Sequence, residues 1–138
     1  MMVSTKGRYA LRVMIDLAEH DAGKFIPLKE IAERQDISRK YLESIMVLLS
    51  KEGLISSLHG KGGGYRLKRP PQDYTAGQIL RLAEGTLAPV ACLIGNQNPC
   101  RHAGECKTLP LWTGLYQQIV EYLDSVTLAQ LVDSTLMD

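Results

Sequence analysis

The sequence has few aromatic residues, few cysteines and no long apolar run, and each shortage excludes a class of protein. Aromatic side chains form 6% of the 138 residues, with one Trp and one Phe. The core must therefore consist mainly of Leu, Ile, Val, Ala and Met, a composition that favours helices. No segment approaches the roughly 18 consecutive apolar residues of a membrane span, and the first residues lack the apolar run of a secretory signal. We expect a cytoplasmic protein with no membrane partner.

Three cysteines are an odd number and too few for a disulfide framework. In a reducing cytoplasm they are core residues, reactive thiols or metal ligands. The remaining composition, 45% apolar and 22% charged, is that of an ordinary globular chain. Its length allows one domain, or a small domain with an oligomerising appendage.

The charge is unevenly distributed along the chain. Residues 1–74 contain 13 Lys or Arg and 9 Asp or Glu, a net charge of +4, whereas residues 75–138 contain 3 and 6, a net charge of −3. The segment 37–69 alone has 7 basic and 2 acidic residues, a net charge of +5. Such a segment is typical of a surface that binds a polyanion, with a solvated basic face as the alternative.

Apolar spacing predicts three helices in the first half of the chain. The first covers residues 6–22. Pro27 opens a second, short helix that ends near Arg34. Ser38 can cap the third helix, and Gly53 ends it.

Two strands follow the third helix, over residues 54–58 and 65–67, and they enclose a glycine-rich segment, 59–64. Two closely linked helices followed by a basic hairpin are the order of a winged helix-turn-helix. The sequence therefore predicts a mainly α-helical fold with a small β-hairpin wing.

The second half begins after Pro70-Pro71, which places a boundary near residue 72. Its predicted elements are a helix from Thr75 to Gly85, an irregular loop over 86–108, a long amphipathic helix from Leu109 to Leu123 and a short helix after Thr127.

The amino end of the third helix carries hydroxyl and basic side chains that suit phosphate oxygens and base edges in a major groove. The carboxylate of Glu43 is useful there only if it accepts a hydrogen bond from cytosine N4 or weakens binding to other sequences. The alternatives are that Tyr41 is a core residue and Glu43 a solvated charge. The candidate DNA-binding residues of this helix are Ser38, Arg39, Lys40, Tyr41, Glu43 and Ser44, and Arg8 of the first helix is a further one.

The hairpin tip supplies a second group of DNA-binding candidates, with a flexible hairpin that binds nothing as the alternative. A phosphate-binding nucleotide loop is excluded, because no Ser or Thr follows the Gly-Lys pair and Tyr65 stands where a dinucleotide motif has its third glycine. Glycine permits close approach of a backbone, and cationic side chains can enter a minor groove or contact phosphate. The candidates are His59, Lys61, Gly62 and Gly63.

All three cysteines lie in the irregular loop, in the pattern Cys92-x7-Cys100-x5-Cys106. The spacing is too wide for a zinc finger, whose cysteine pairs are two to four residues apart. Three thiolates on one loop can converge on an iron-sulfur cluster or on zinc. Inert thiols are the alternative.

Five short motifs, spread over nearly the whole chain, together match a known family. They are Ser4-Thr5-Lys6-Gly7-Arg8-Tyr9-Ala10, Ile37-Ser38 with Tyr41-Leu42-Glu43, Gly53-Leu54-Ile55, Gly62-Gly63-Gly64-Tyr65, and Thr127-Leu128 with Leu131-Val132. On these residues the chain resembles the IscR/NsrR/CymR-type family of dimeric winged helix-turn-helix transcriptional regulators.

The resemblance implies a homodimer in which the long helix from Leu109 packs on its twin and two heads contact an imperfectly palindromic site on double-stranded DNA. Residues 1–72 are then the DNA-binding head. Residues 73–138 contain the sensor loop, 86–108, and the dimerisation helices.

In the cluster-binding branches of this family, three cysteines lie in the loop before the dimer helix, and that place is taken here by Cys92, Cys100 and Cys106. Resemblance to these branches implies an iron-sulfur cluster, [2Fe-2S] or [4Fe-4S], whereas the CymR branch of the family regulates without these cysteines. The family's fourth ligand is absent, because Leu109 replaces the histidine of some members and Arg8 replaces the acid of others. His102 is a candidate by its chemistry, with a surface histidine as the alternative, and an exchangeable fourth site would suit a labile sensing cluster.

We therefore predict a sequence-specific transcriptional repressor controlled by an iron-sulfur cluster or by the redox state of the three-cysteine loop. The alternative is a cluster-free regulator of cysteine and sulfur metabolism that responds to thiol oxidation or to a partner enzyme. We do not predict an enzyme, because the sequence has no paired nucleophile and base at usable spacing and no cofactor loop.

Overall fold

The computed structural model describes residues 3–95 and 100–136. Within these ranges the chain forms helices and one hairpin, so the predicted mainly α-helical fold with a β-hairpin wing is confirmed. The elements are α1 (Thr5–Glu19), α2 (Leu28–Gln35), α3 (Arg39–Lys51), β1 (Ile55–Leu58), β2 (Gly64–Leu67), α4 (Ala76–Glu84), α5 (Leu109–Ser125) and α6 (Leu128–Asp133). Single 3-10 turns occupy Pro71–Asp73 and Ala91–Leu93.

Four helices begin with hydroxyl caps, and the sequence predicts the cap at Ser38 and the helix starts at Thr75 and Thr127. The side chains of Ser4, Ser38, Thr75 and Thr127 each accept a hydrogen bond from a backbone N–H of the following turn. Where the boundaries differ from prediction, local hydrogen bonds explain it. Helix α1 ends at Glu19 rather than near residue 22, because the carboxylate of Asp21 accepts from the amide of Gly23 and turns the chain.

One hydrophobic core connects the two halves of the chain. Buried apolar side chains of α1, α2, α3 and the hairpin pack in the same cluster as Tyr74, Ile79 and Leu128, which all lie beyond residue 72. Both α4 and α6 pack on α1, whereas α5 packs on α4. The helix-turn-helix is therefore supported by the second half of the chain.

The hairpin is paired in the register Ile55↔Leu67 to Leu58↔Gly64. A third segment, which the sequence analysis did not predict, joins it: Ile26 and Tyr65 exchange backbone hydrogen bonds of 2.8 and 2.9 Å. A Cβ atom at Gly64, which has a φ of +147°, would collide with the backbone of Ile26. Glycine is required there by the approach of two backbones.

The base of the hairpin is closed by Tyr74, whose side chain is fully buried. Its hydroxyl donates to the carbonyl of Leu54 at 2.7 Å and accepts from the amides of Lys68 and Arg69 at 3.2 and 3.1 Å. One phenol thus satisfies three backbone groups at the two ends of the hairpin, and this fixes the wing relative to the core.

Helix α5 differs from the other long helices. It has 17 residues and none of them is buried, and three of its large apolar side chains are exposed: Leu111, Leu115 and Tyr122. Across residues 3–95 and 100–136, no helix is long and apolar enough to cross a membrane.

Candidate nucleic-acid interface and cysteine loop

The amino end of α3 projects polar side chains into solvent while the opposite face of the helix is buried. Ser38, Arg39 and Lys40 are exposed, as are Glu43 and Ser44. The Ser38 hydroxyl accepts from the Tyr41 amide at 3.2 Å and keeps its own proton available for donation. This end of the helix therefore offers hydroxyl and cationic donors beside the partial positive charge of the helix terminus.

Tyr41 is half-buried and packs against the core. Its ring meets that of Tyr9 edge to face, with centroids 5.8 Å apart, and the Arg12 guanidinium lies 5.0 Å from the Tyr9 centroid. Together with Thr5 and Ser38, the two tyrosines line a shallow open pocket between α1 and α3. The amino ends of these two helices thus form one continuous surface.

The start of α1 is held in place by α4. The carboxylate of Glu84 accepts from the Ser4 amide at 2.9 Å and from the Ser4 hydroxyl at 2.6 Å. A Cβ atom at Gly7 would collide with this carboxylate, so glycine allows the contact. Arg8 is exposed next to it and its guanidinium donates to the Thr5 hydroxyl at 3.4 Å.

A buried carboxylate fixes α2 against α1 behind this surface. Asp16 is fully buried, and Arg34 donates to its two oxygens at 3.0 and 2.8 Å, while Gln35 donates at 2.8 Å. The hydrogen bonding of Arg34 to Asp16 and the negative charges of Asp16 and Glu30 raise the pKa of Arg34. Arg12 donates to the carbonyl of Gln35, which ties the turn before α3 to α1 as well. Sequence reasoning missed Asp16, whose signal is an acid within an apolar helical stripe.

The wing tip is shaped by glycines. Gly60 and Gly62 have φ values of +91° and +78°, and the Gly63 amide donates to the Gly60 carbonyl at 3.0 Å. His59 and Lys61 are exposed beside them. The tip therefore presents one permanent positive charge and one imidazole on a tight turn.

The wing and α3 lie close to each other. Tyr65 of β2 is half-buried, and its pKa is raised by burial and by the negative charge of Glu43 on α3. The base of the wing is therefore adjacent to α3, which also contacts β1.

The three cysteines occupy different settings in the loop between α4 and α5. Cys92 is half-buried in a 3-10 turn, and Cys100 is exposed. Cys106 lies just before α5, and its sulfur is 3.2 Å from the Thr108 hydroxyl. Hydrogen bonds from the Thr108 side chain, the Thr108 amide and the Leu109 amide lower the pKa of Cys106.

The cysteine side chains of the loop have the chemistry of metal or cluster ligands but lie apart in the described conformation. Three thiols are suitable soft donors for iron. Among the residues that the structure describes, however, no three His, Cys, Asp or Glu side chains are placed to hold one metal ion. The described conformation therefore does not fit a bound cluster, and the ligand set of Cys92, Cys100, Cys106 and His102 stays a prediction.

The Rrf2 family model, described as an iron-dependent transcriptional regulator, matches residues 3–134. The chain belongs to the Rrf2 family. A relative from Yersinia pestis, the HTH-type transcriptional regulator IscR, is 35% identical over 134 residues, which are 97% of this chain and 80% of that protein.

Two solved structures resemble this Rrf2 protein over almost its full length. CymR (YrzC), the global cysteine regulator of B. subtilis, has a TM-score of 0.78 and 36% identity, and the match covers 97% of this chain and 98% of that one. IscR of T. potens has a TM-score of 0.75 and 36% identity, with 98% and 88% covered. The family resemblance inferred from the sequence motifs is therefore confirmed.

Family membership makes this Rrf2 protein a DNA-binding transcriptional regulator, which is a non-enzymatic role. The expectation that the chain is not an enzyme is confirmed on this ground.

Proposed function

We propose that this Rrf2 regulator binds duplex DNA as a homodimer, with α3 in the major groove and the wing against the adjacent phosphate backbone or minor groove. The observation that carries the proposal is the amino end of α3, where Ser38, Arg39 and Lys40 are exposed while the far side of the helix is anchored in the core. The target is an imperfect palindrome, since the dimer is two-fold symmetric.

The residues of this surface divide by position into two groups. Lys40, Glu43 and Ser44, on the outer face of α3, suit base edges, whereas the other candidates suit phosphate oxygens. We assign to phosphate or wing contacts the residues Arg8, Ser38, Arg39, Tyr41, His59, Lys61, Gly62 and Gly63.

The second copy is supported by α5. This helix has 17 residues, none of them buried, and it exposes Leu111, Leu115 and Tyr122. Such a helix is stable in water when another apolar surface covers it. We propose that two α5 helices pack together, so that residues 1–72 act as the DNA-binding head and residues 73–138 as the sensor and dimerisation region.

Control of DNA binding is assigned to the loop 86–108, since it connects α4, which contacts the head, with α5. We propose that the protein is a repressor whose DNA binding depends on an iron-sulfur cluster, which the loop cysteines can hold only after the described conformation of the loop has changed. The family model's description as iron-dependent supports this proposal.

A second form of control is favoured by a separate observation. Cys106 lies at the amino end of α5, where hydrogen bonds stabilise its thiolate, and the fold is similar to that of a global cysteine regulator. Control by thiol oxidation, or by a partner enzyme of cysteine and sulfur metabolism, is therefore the second candidate.

The DNA-binding surface is tested by replacing Lys61. Because Lys61→Ala removes one phosphate contact, we expect weaker binding to all duplexes alike and a salt dependence of log K that is flatter by about one unit. Fluorescence anisotropy with a labelled duplex measures both. Lys24→Ala, which removes an exposed lysine between α1 and α2, is the matched control and should bind like the wild type. Equal effects of the two variants would contradict the proposal.

The two forms of control are separated by anaerobic reconstitution with iron and sulfide. Cluster control predicts a brown protein with visible absorbance, stoichiometric iron and sulfide per chain, and loss of both in the variant with all three cysteines replaced by Ala. A colourless product whose thiol labelling changes with oxidant and not with iron supports the second candidate and rejects the first.

A further inference from the structure

An apolar side chain lies on the exposed face of α3 and has no role in the contacts proposed so far. Val47 is 66% exposed, the highest value among the large apolar side chains that are exposed in the described ranges. It follows Lys40, Glu43 and Ser44 on the face opposite the buried residues Leu42, Ile45, Met46 and Leu49.

The spacing places Val47 in line with the residues proposed to contact bases. The side chains that follow Lys40 by three, four and seven positions are Glu43, Ser44 and Val47. Residues at these spacings share one face of a helix. Homeodomain recognition helices use residues with the same spacing to read the major groove. Seven residues advance about 10 Å along the helix axis, which is about three base-pair steps of roughly 3.4 Å. Val47 therefore lies within reach of a base pair beyond those near Lys40.

Helix stability gives no reason for a valine at this position. A β-branched residue is a weaker helix former than alanine or a long charged residue, and two-thirds of this side chain remains in water. Its surroundings point to a nucleic acid, because the segment 37–69 that contains it has a net charge of +5. The apolar group that a major groove exposes is the C5 methyl of thymine.

We propose that Val47 contacts the C5 methyl group of a thymine in each half-site and so determines a preference for thymine at that position. This inference rests on the proposed placement of α3 in the major groove. Cytosine has a hydrogen at C5 and cannot make this contact. Val47 would therefore discriminate between thymine and cytosine with no hydrogen bond.

The test uses duplexes that the wild-type protein selects from a randomised library. Each thymine is replaced in turn by deoxyuridine, which lacks only the methyl group. At one position in each half-site we expect wild-type binding to weaken about fourfold, which corresponds to about 0.8 kcal/mol for one methyl group removed from water. Val47→Ala should bind the thymine and deoxyuridine duplexes equally at that position.

Two controls separate this inference from the proposed function. Lys61→Ala should bind more weakly overall and keep the wild-type pattern of deoxyuridine effects. Gel filtration should show the same assembly for Val47→Ala as for the wild type. If the wild type selects a sequence and no thymine methyl matters, or if Val47→Ala keeps the full methyl effect, the inference is overturned while DNA binding stands. If the wild type selects no sequence, the proposed function itself fails.

Discussion

The α3 and α5 helices show how differently the two regions of this chain are stabilised. In α3, four of 13 residues are buried in the core, whereas none of the 17 residues of α5 is buried. The outer face of α3 is therefore held in position by contacts within one chain, before any DNA arrives. The position of α5 depends on what covers its exposed apolar side chains.

The polar contacts of the two regions differ in the same way. In the head, the carboxylate of Asp16 is fully buried beneath Arg34. Between α4 and α5, Arg81 and Asp124 form two hydrogen bonds of 2.8 Å, with 43% and 40% of the side chains exposed. Exposed ion pairs stabilise proteins by less than about 1 kcal/mol. The connection from the head to α5 is therefore easier to shift than the head itself.

The same leucine truncation in each helix tests this contrast most strongly. Leu42→Ala removes a fully buried side chain of α3 and should lower the free energy of unfolding by about 3 kcal/mol, independent of protein concentration. Leu115→Ala removes a side chain that is 41% exposed on α5 and should change the unfolding of the monomer by less than about 0.5 kcal/mol. It should instead raise the dimer dissociation constant about tenfold.

Chemical denaturation at several protein concentrations, with sedimentation equilibrium, measures both effects. Equal losses of unfolding free energy for the two leucines, with an unchanged dimer, would contradict the assignment of α5 to the dimer interface.

A tyrosine pair tests whether the wing is fixed by the core. Tyr74→Phe leaves one buried and two partly buried backbone groups without the hydroxyl and should cost about 2 kcal/mol of unfolding free energy. Tyr122→Phe, at an exposed position of α5, is the matched control and should cost less than about 0.5 kcal/mol. Hydrogen exchange should also be faster at the amides of Lys68 and Arg69 in the first variant. Unchanged exchange there would show that the phenol does not hold the hairpin.

The smallest predicted effect concerns the ion pair between α4 and α5. The hydrogen bond and positive charge of Arg81 lower the pKa of Asp124. A carboxylate whose pKa is lowered by folding stabilises the folded state at pH values above its ordinary pKa of about 3.9. This stabilisation is lost as the pH falls through the lowered pKa. At pH 7, Asp124→Asn should therefore cost roughly 0.5 kcal/mol, since both groups are partly exposed.

The stability gap between the wild type and Asp124→Asn should narrow as the pH falls below about 4. Thermal unfolding from pH 7 to pH 3 provides the measurement. A gap that widened toward acid pH would show that the sign of the linkage is wrong.

Features that depend on local sequence were predictable. The hydroxyl caps at Ser38 and Thr127, the hairpin and the family motifs all depend on residues a few positions apart, so periodicity and turn chemistry identify them. The long helix from Leu109 was also predicted, and it continues to Ser125, two residues beyond the expected end.

Features that depend on distant partners were not predicted. Three such features join residues that are remote in sequence or rely on burial. They are the pairing of Ile26 with Tyr65, the three hydrogen bonds of Tyr74 and the Asp16–Arg34 pair. Gly64 shows the difference between the two kinds of feature. The family motif includes Gly64, but only the fold shows why glycine is needed there: a Cβ atom would collide with the Ile26 backbone.

The central claim is that the α3 and wing surface, held by the head's own core, binds duplex DNA. The most direct test measures the affinity of the double variant Arg39→Ala and Lys61→Ala for a selected duplex at low salt, after circular dichroism has shown an unchanged fold. We expect binding at least tenfold weaker than that of the wild type and a salt slope flatter by about two units. Wild-type affinity in the folded double variant would contradict the claim.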